Sequence, residues 1–287
     1  MTRVELVFIS GTSEQTQGGG QMDLGLRGRT YLIIGATDGM GLATAQAIAA
    51  EGGDLAIVAR GKERVDAVVE RLAREHGVRV TGYAADPGRP DTIDAVVDQV
   101  AAAHGRLDGL AVLAGPVLAY GDVLALADQD WDAHLQNHLM LTVRCCRAAI
   151  PRMIDGGGGS VVTIGAYSVR HQKPAMVSYT AAKAAIVSVT KNIAKAYGPS
   201  GIRANCICPG MIDTAAVSAD RDALVERYGV PKEEALYRYA EDSWGMSLAL
   251  RRVGRPGEVG ALAAMLMSDR IGYLTGATIN IDGGTDF

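Results

Sequence analysis

The sequence predicts an α/β fold: a doubly wound parallel sheet of about seven strands with helices on both faces. Two observations carry this. From Arg29 onward, short β-branched apolar runs alternate with longer stretches of helical spacing, as expected of strands buried on both faces by crossover helices. A glycine-rich turn also follows the first strand and opens the first helix, and right-handed βαβ crossovers then give the doubly wound arrangement.

The elements follow in order. The first strand spans 30–35 and its helix 40–51; the second pair is 54–59 and 61–76, the third 79–84 and 90–104. A strand at 108–114 precedes a long helix at 130–153. Glycines 156–159 then make a flexible connection to a strand at 160–165 and a helix at 175–197. A strand at 203–208, a helix at 256–268 and a last strand at 277–282 complete the pattern. Residues 215–253 break the rhythm: they carry many charges, no strand, and Tyr228, Tyr237, Tyr239, Trp244 and Met246. Long segments of this kind in compact domains are commonly functional, and the aromatics point to a lid over a substrate site. Residues 1–22, polar and glycine-rich from Gly11 to Gly20, read as a disordered extension, with Met22 a second possible start; 23–287 read as one catalytic domain.

Composition narrows the function. The chain has 287 residues, 48% of them hydrophobic, enough to bury a core unaided. Lys and Arg total 28 against 32 Asp and Glu, a net charge of -4, so there is no basic footprint for nucleic acid. No apolar run is long enough to span a membrane; the stretch 109–121 is interrupted by Gly115 and Pro116. The four cysteines lack zinc-knuckle spacing and suit reduced packing positions. No metal site is expected. No basic n-region or signal cleavage site opens the chain, so the expectation is a soluble, cytoplasmic protein acting on a small molecule.

Two motifs carry chemistry. The turn holding Gly35, Thr37, Asp38, Gly39, Met40 and Gly41 has the spacing G-x-x-x-G-x-G between strand and helix. Glycines there permit a tight turn and close backbone approach to a phosphate, and the helix N-terminus offers free N–H donors. Tight strand-to-helix turns that bind nothing also look like this. Arg60, after the second strand where NAD-selective folds place a carboxylate, has two readings: a fork for a 2'-phosphate, favouring NADP over NAD, or a solvated arginine opening a helix. Asp38 complicates the first by placing a negative charge in the same loop.

The second motif is Tyr179 and Lys183, four residues apart in a helical stretch, so the side chains share a face. An adjacent ammonium is expected to favour the phenolate and bring the phenol toward acid/base use near neutrality. Tyr228 and Lys232 share the spacing, but Gly229 and Pro231 break the helix between them, so that match is accidental.

With these motifs, the chain resembles the short-chain dehydrogenase/reductase family from about Leu26 to Phe287. The resemblance rests on Gly35, Gly39 and Gly41; Asp86 after the third strand; Ala114 and Gly115 after the fourth; Tyr179 and Lys183; Pro209, Gly210, Met211, Ile212, Asp213 and Thr214; Gly254, Arg255 and Pro256; and the ending Thr275, Gly276, Asp282, Gly283 and Gly284. It implies a Rossmann-type sheet of seven strands, a nicotinamide cofactor, hydride transfer between that cofactor and a secondary alcohol or ketone, and a homodimer or homotetramer. It also implies Tyr179 as proton donor and Lys183 as the group that holds the nicotinamide ribose and lowers the tyrosine pKa. Asp86, with Pro87 beside it, would face the adenine; Ala114 and Gly115 would line the adenosine ribose and the nicotinamide side; and Ile212 and Thr214 would fix the carboxamide, with Pro209 and Gly210 also at the cofactor.

Five positions depart from the family pattern. Ala166 stands where a carbonyl-polarising serine is usual, thirteen residues before Tyr179, and Ser168 is the expected substitute, against the plainer reading of a turn serine. His138 stands where an asparagine is usual, with Asn137 projecting about 100° away around the helix; it reads either as a proton carrier or as a packed histidine. Val112 and Leu113 replace the customary Asn pair, and Ile34 a common threonine. The sequence favours an oxidoreductase acting on a mostly apolar cyclic ketone, terpenoid, steroid or acyl thioester. Arg144, Arg147 and Arg152 give only a slight hint of an acyl-carrier docking patch. The alternative is a dinucleotide-binding protein with lost or altered catalysis.

Overall fold

The computed structural model describes residues 23–89, 92–215, 217–219 and 221–285; the extension expected at 1–22 and the expected helix start at Pro90 lie outside them. Among the described residues, β1 (Thr30–Ile34), β2 (Asp54–Ala59), β3 (Val80–Ala84), β4 (Gly109–Val112), β5 (Gly159–Ile164), β6 (Ile202–Pro209) and β7 (Thr278–Ile281) form one parallel sheet. The strand order is β3-β2-β1-β4-β5-β6-β7. The order reverses between β1 and β4, and in such sheets the crevice beyond the strand C-termini at that point is where ligands bind.

Strand alternation divides the core. Tyr31 and Ile33 of β1 face one layer with α1 (Gly39–Ala50) and α9 (Pro256–Met267), where they meet Ile48, Ala263 and Leu266. Leu32 and Ile34 face the other, against α3 (Thr92–His104) and α5 (Leu141–Asp155) through Val97, Val100, Cys145 and Ile150. This is the period of two that sends successive strand side chains to opposite faces. Helix α2 (Lys62–His76) buries Val65, Val68 and Leu72 beside β2 and β3. All four cysteines are buried free thiols.

The long helix expected at 130–153 is not continuous. It begins at Asp128 as α4 (Asp128–His134), passes through a π-helical turn (Leu135–Met140), and resumes as α5. A π turn takes up extra backbone without altering the apolar spacing on either side, so the hydrophobic pattern does not reveal it, and such turns gather at functional sites. The strandless 215–253 segment holds α7 (Arg221–Tyr228) and α8 (Lys232–Trp244), separated by Gly229 at φ +62° and ended by Gly245 at φ +56°. Tyr228 and Lys232 therefore lie on different helices. Leu236, Tyr237 and Ala240 of α8 pack with Met246, Leu248, Val253 and Tyr167 into a small apolar cluster of their own. Helix α6 (Val177–Tyr197) runs from the crevice back along β5 and β6.

Candidate active site

The glycine turn is built by steric necessity. Gly35 (φ +86°) and Gly39 (φ +51°) occupy the left-handed region, and a Cβ on Gly41 would lie 2.1 Å from the Gly35 carbonyl oxygen. The turn is anchored where the Gly35 N–H donates to Val58 O (2.9 Å). Asp38 caps α1, its carboxylate accepting from the Gly39 N–H at 2.6 Å, so one amide of the helix start already serves an internal anion. Thr37 is half-buried beside it. Arg60 is exposed just beyond β2, with no hydrogen bond or ion pair among the described residues. Asp86 accepts from the Gly88 N–H (3.0 Å), shaping the turn after β3, and Pro87 is buried.

The strand after the turn converges on the same crevice. A Cβ on Gly35 would meet Ala114 at 3.0 Å, and one on Gly39 would meet Thr214 at 3.2 Å. Thr214 ends a segment, 209–214, that pairs with the 254–256 motif: the Asp213 N–H donates to Gly254 O (2.8 Å) and the Gly254 N–H to Met211 O (2.9 Å). A Cβ on Gly254 would strike Ile212 at 2.5 Å, which explains that glycine.

These pieces enclose a cavity of about 380 Å³. Its lining combines residues of the glycine turn and strand ends (Met40, Gly115, Pro209, Gly210, Ile212 and Thr214), the pair Tyr179 and Lys183, and the α7–α8 and loop aromatics and aliphatics Tyr120, Tyr167, Met176, Leu224, Tyr239, Trp244 and Met246. Its only charged lining residue among those described is Lys183. The residues fit a dinucleotide: a helix N-terminus at Gly39, two tight glycines and the strand ends meet at the mouth where Tyr179 and Lys183 sit.

Lys183 is 1% exposed and donates to Ile164 O at 3.0 Å, with its ammonium 5.6 Å from the Tyr179 ring centre. Burial pushes this lysine down to about 8. The lowered phenol pKa expected from its neighbour is not what the protein alone provides: burial pushes Tyr179 up from its usual value, with Tyr120, Tyr167 and Cys208 adding to the rise. Desolvation dominates because a phenolate buried here would lose its hydration.

His138 sits in the π-helical turn, 1% exposed, edge-on to Tyr179 at 5.1 Å between ring centres. Its Nε2 lies 3.0 Å from Pro116 O; a carbonyl only accepts, so Nε2 carries the proton and Nδ1 is a bare lone pair. Nδ1 is buried without a hydrogen-bond partner and lies where a Cβ on Gly115 would approach to 2.4 Å. Burial, Lys183 and His134 hold His138 down to about 3. Of the two readings, this placement favours the packed imidazole. Asn137 is exposed and donates to Ala133 O, turned away.

One turn earlier lies His134, which the sequence reading missed. The Leu118 N–H donates to its Nε2 (3.0 Å), so Nδ1 bears the proton and donates to Ser178 Oγ (2.9 Å). Burial lowers this histidine too. The i, i+4 pair thus clamps the segment after β4 to the start of α6, and the spacing was its only sequence signal.

Ser168 does not reach the cavity. It is fully buried in the 3-10 turn after β5, and its hydroxyl accepts from Thr180 Oγ1 at 2.9 Å. Ala166 lines the cavity with a methyl group. Tyr120 and Met176 were also missed, since each belongs to a segment whose placement depends on the tertiary bridge between Gly121 and Met176. Arg144 is spent on Gly88 O (2.6 Å) and Gln136, and Arg152 on Asp98 (2.6 Å), which weakens the docking-patch hint.

Comparison with known proteins agrees with this architecture. A family model described as enoyl-(acyl carrier protein) reductase matches residues 35–286. Pig dehydrogenase/reductase SDR family member 4 is 30% identical over 91% of this chain and 88% of its own length. Oxidoreductase UcpA of Escherichia coli O157:H7 is 34% identical over 91% and 95%. Among solved structures, L-sorbose reductase from Gluconobacter frateurii, complexed with NADPH and L-sorbose, superposes with a TM-score of 0.85 at 30% identity, covering 92% of this chain and 98% of that one. The chain belongs to the short-chain dehydrogenase/reductase family of oxidoreductases. No helix among the described residues is long and apolar enough to cross a membrane.

Proposed function

We propose that the protein is an NADPH-dependent reductase of an uncharged, mostly apolar ketone. The carrying observation is the cavity itself, in which Tyr179 and Lys183 face walls that are otherwise apolar, aromatic or neutral. Burying a carboxylate or phosphate of a substrate among Met176, Leu224, Trp244 and Met246 would cost more than the single lysine returns. Exposed Arg60 supports NADP over NAD, since its guanidinium is free to pair with a 2'-phosphate; NAD remains the second cofactor to test. Asp38 is tied to Gly39.

When bound, the nicotinamide supplies the hydride to the carbonyl carbon. The chain supplies position and a proton. Tyr179, whose phenol burial keeps protonated, gives its proton to the carbonyl oxygen, so the carbonyl becomes the secondary alcohol. Lys183, anchored on Ile164 O, holds a positive charge beside the ring as the phenolate forms, which is when that charge stabilises most. Gly35, Gly39 and the start of α1 would hold the pyrophosphate, and Asp86, Pro87, Ala114 and Gly115 the adenosine side. Pro209, Gly210, Ile212 and Thr214 would fix the nicotinamide edge. The segment 215–253 would act as the substrate lid, and the chain as a homodimer or homotetramer, as is common in the family. The second reading, cofactor binding without turnover, is favoured by one observation: Ala166 presents no hydroxyl to the cavity.

The test is oxidation of NADPH and NADH by the purified protein with a panel of cyclic and linear ketones, polyols such as sorbose, and acyl thioesters. Turnover of apolar ketones with NADPH preferred, abolished in Tyr179→Phe, is expected. Tight NADPH binding without turnover across the panel would favour the second reading.

A further inference from the structure

A carbonyl under reduction develops negative charge on oxygen, and a single proton donor leaves that oxygen's second lone pair unmatched. The chain offers little to match it at the expected places. Position 166 is alanine, and Ser168 is sealed against Thr180. Between them Tyr167 opens the short 3-10 turn (Tyr167–Val169) that continues β5.

Tyr167 is held firmly. Its ring is 8% exposed, stacks on His171 at 6.3 Å and 27°, and packs with Leu236, Ala240, Met246 and Leu248. Yet it lines the same cavity as Tyr179 and Ala166, and its hydroxyl takes part in no hydrogen bond among the described residues. A rigid, apolar-seated ring with a spare O–H is a preorganised donor. Burial pushes this phenol up to about 12, so it stays protonated at neutral pH. The other cavity phenols are less fixed: Tyr120 is 60% exposed on the loop after β4, against Trp244, and Tyr239 rides on α8.

We propose that Tyr167 is a second catalytic tyrosine, whose O–H donates a hydrogen bond to the substrate carbonyl oxygen in place of the hydroxyl missing at Ala166. It keeps its own proton; only Tyr179 transfers one. The small side chain at 166 and the cavity-lining phenol at 167 then form one unit: the methyl leaves room for an oxygen reached from the neighbouring residue. This assignment rests on the ketone-reductase reading.

The experiment compares wild type, Tyr167→Phe, Tyr179→Phe and the double variant Ala166→Ser with Tyr167→Phe. It reads kcat and KM with a ketone the wild type reduces, NADPH affinity by fluorescence, and thermal melting. Tyr167→Phe should lose ~10² to 10³ in kcat, as loss of an oxyanion donor does, with NADPH affinity and melting unchanged. Adding Ala166→Ser should restore at least about tenfold, the worth of one hydrogen bond to a developing charge, whereas a merely structural role would not be rescued there. A second readout needs no turnover: a secondary amide, a carbonyl acceptor that is not reduced, should bind NADPH-loaded Tyr167→Phe about tenfold more weakly than wild type.

A Tyr167→Phe enzyme within about threefold of wild type, a loss that Ala166→Ser does not recover, or unchanged amide affinity overturns the assignment. Full activity in Tyr179→Phe instead overturns the ketone-reductase reading, whatever Tyr167 does.

Discussion

The two walls of the cavity are held by different forces. On the sheet side, backbone holds the parts: the Gly35 N–H on Val58 O, the Asp213 N–H on Gly254 O, and glycines whose Cβ atoms would strike main chain or a neighbouring side chain. On the α7 and α8 side, side chains do the holding: Tyr120 on Trp244 at 5.7 Å, Trp244 on Tyr239 at 6.4 Å, and the cluster around Leu236 and Met246. A backbone-held wall tolerates few residue types and fixes positions within tenths of an ångström. A packing-held wall accepts many residues of similar volume, so it can be reshaped for a new substrate without disturbing the proton donor opposite.

If that contrast is sound, the largest effect belongs to the sheet side. Tyr179→Phe removes the proton donor and nothing else, and kcat should fall by ~10² to 10⁴ while NADPH affinity, read by fluorescence titration, holds. Gly41→Ala should fail differently. Its Cβ would sit 2.1 Å from Gly35 O, so the turn must deform, and cofactor affinity should fall together with stability, by about 1–3 kcal/mol in melting experiments. A Gly41→Ala protein that binds NADPH normally would break the claim that backbone sets this wall.

Smaller effects are expected where single side chains act. Arg60→Ala should weaken NADPH binding about 10- to 100-fold, the worth of a charged hydrogen bond to phosphate, and leave NADH binding unchanged. Equal losses for both dinucleotides would assign Arg60 to solvent. On the packing-held wall, Trp244→Ala should raise KM for an apolar ketone about tenfold with kcat changed far less, the signature of lost uniform binding. A drop in kcat equal to that of Tyr179→Phe would show the two walls are not separable.

The same contrast explains what the sequence made legible. Strands β1 to β7, the glycine turn, and Tyr179 with Lys183 could be placed because periodicity, φ > 0 at Gly35 and Gly39, and helical spacing are local properties of the chain. Ser168 was misplaced because whether a hydroxyl after β5 faces the cavity or Thr180 depends on how one 3-10 turn twists, which no spacing rule gives. Tyr120 was missed since its position follows from the bridge of Gly121 to Met176, 55 residues apart in sequence. The tyrosine's pKa was read from its neighbour alone, and burial, a tertiary property, reversed the direction.

The smallest predicted effect concerns the join between the walls, the His134 and His138 clamp on Leu118, Pro116 and Ser178. Charge is disfavoured on both imidazoles in the fold, because the Leu118 N–H already points at one Nε2 and burial pushes both rings down from their usual value. The ionisable groups facing them are Asp130, which favours charge on His134, Lys183, which opposes it on His138, and Tyr179 edge-on to both. Their folded pKa values lie below the unfolded value of ~6.5, so below that pH the unfolded chain binds protons that the native chain refuses. Stability is therefore complete above pH ~6.5 and falls as the pH drops toward about 3, where His138 would protonate in place. The limiting slope is about 1.4 kcal/mol per pH unit for each histidine. Urea melts between pH 6.5 and 5, above the range where depressed carboxylates such as Glu258 titrate, should show this loss in wild type. His138→Asn keeps a side-chain N–H for Pro116 O and cannot titrate, so its slope should fall to about two thirds, since His134 and His104, both also held down by burial, still contribute. An unchanged slope would mean that His138 is already charged in the fold, and the segment after β4 would then need another anchor.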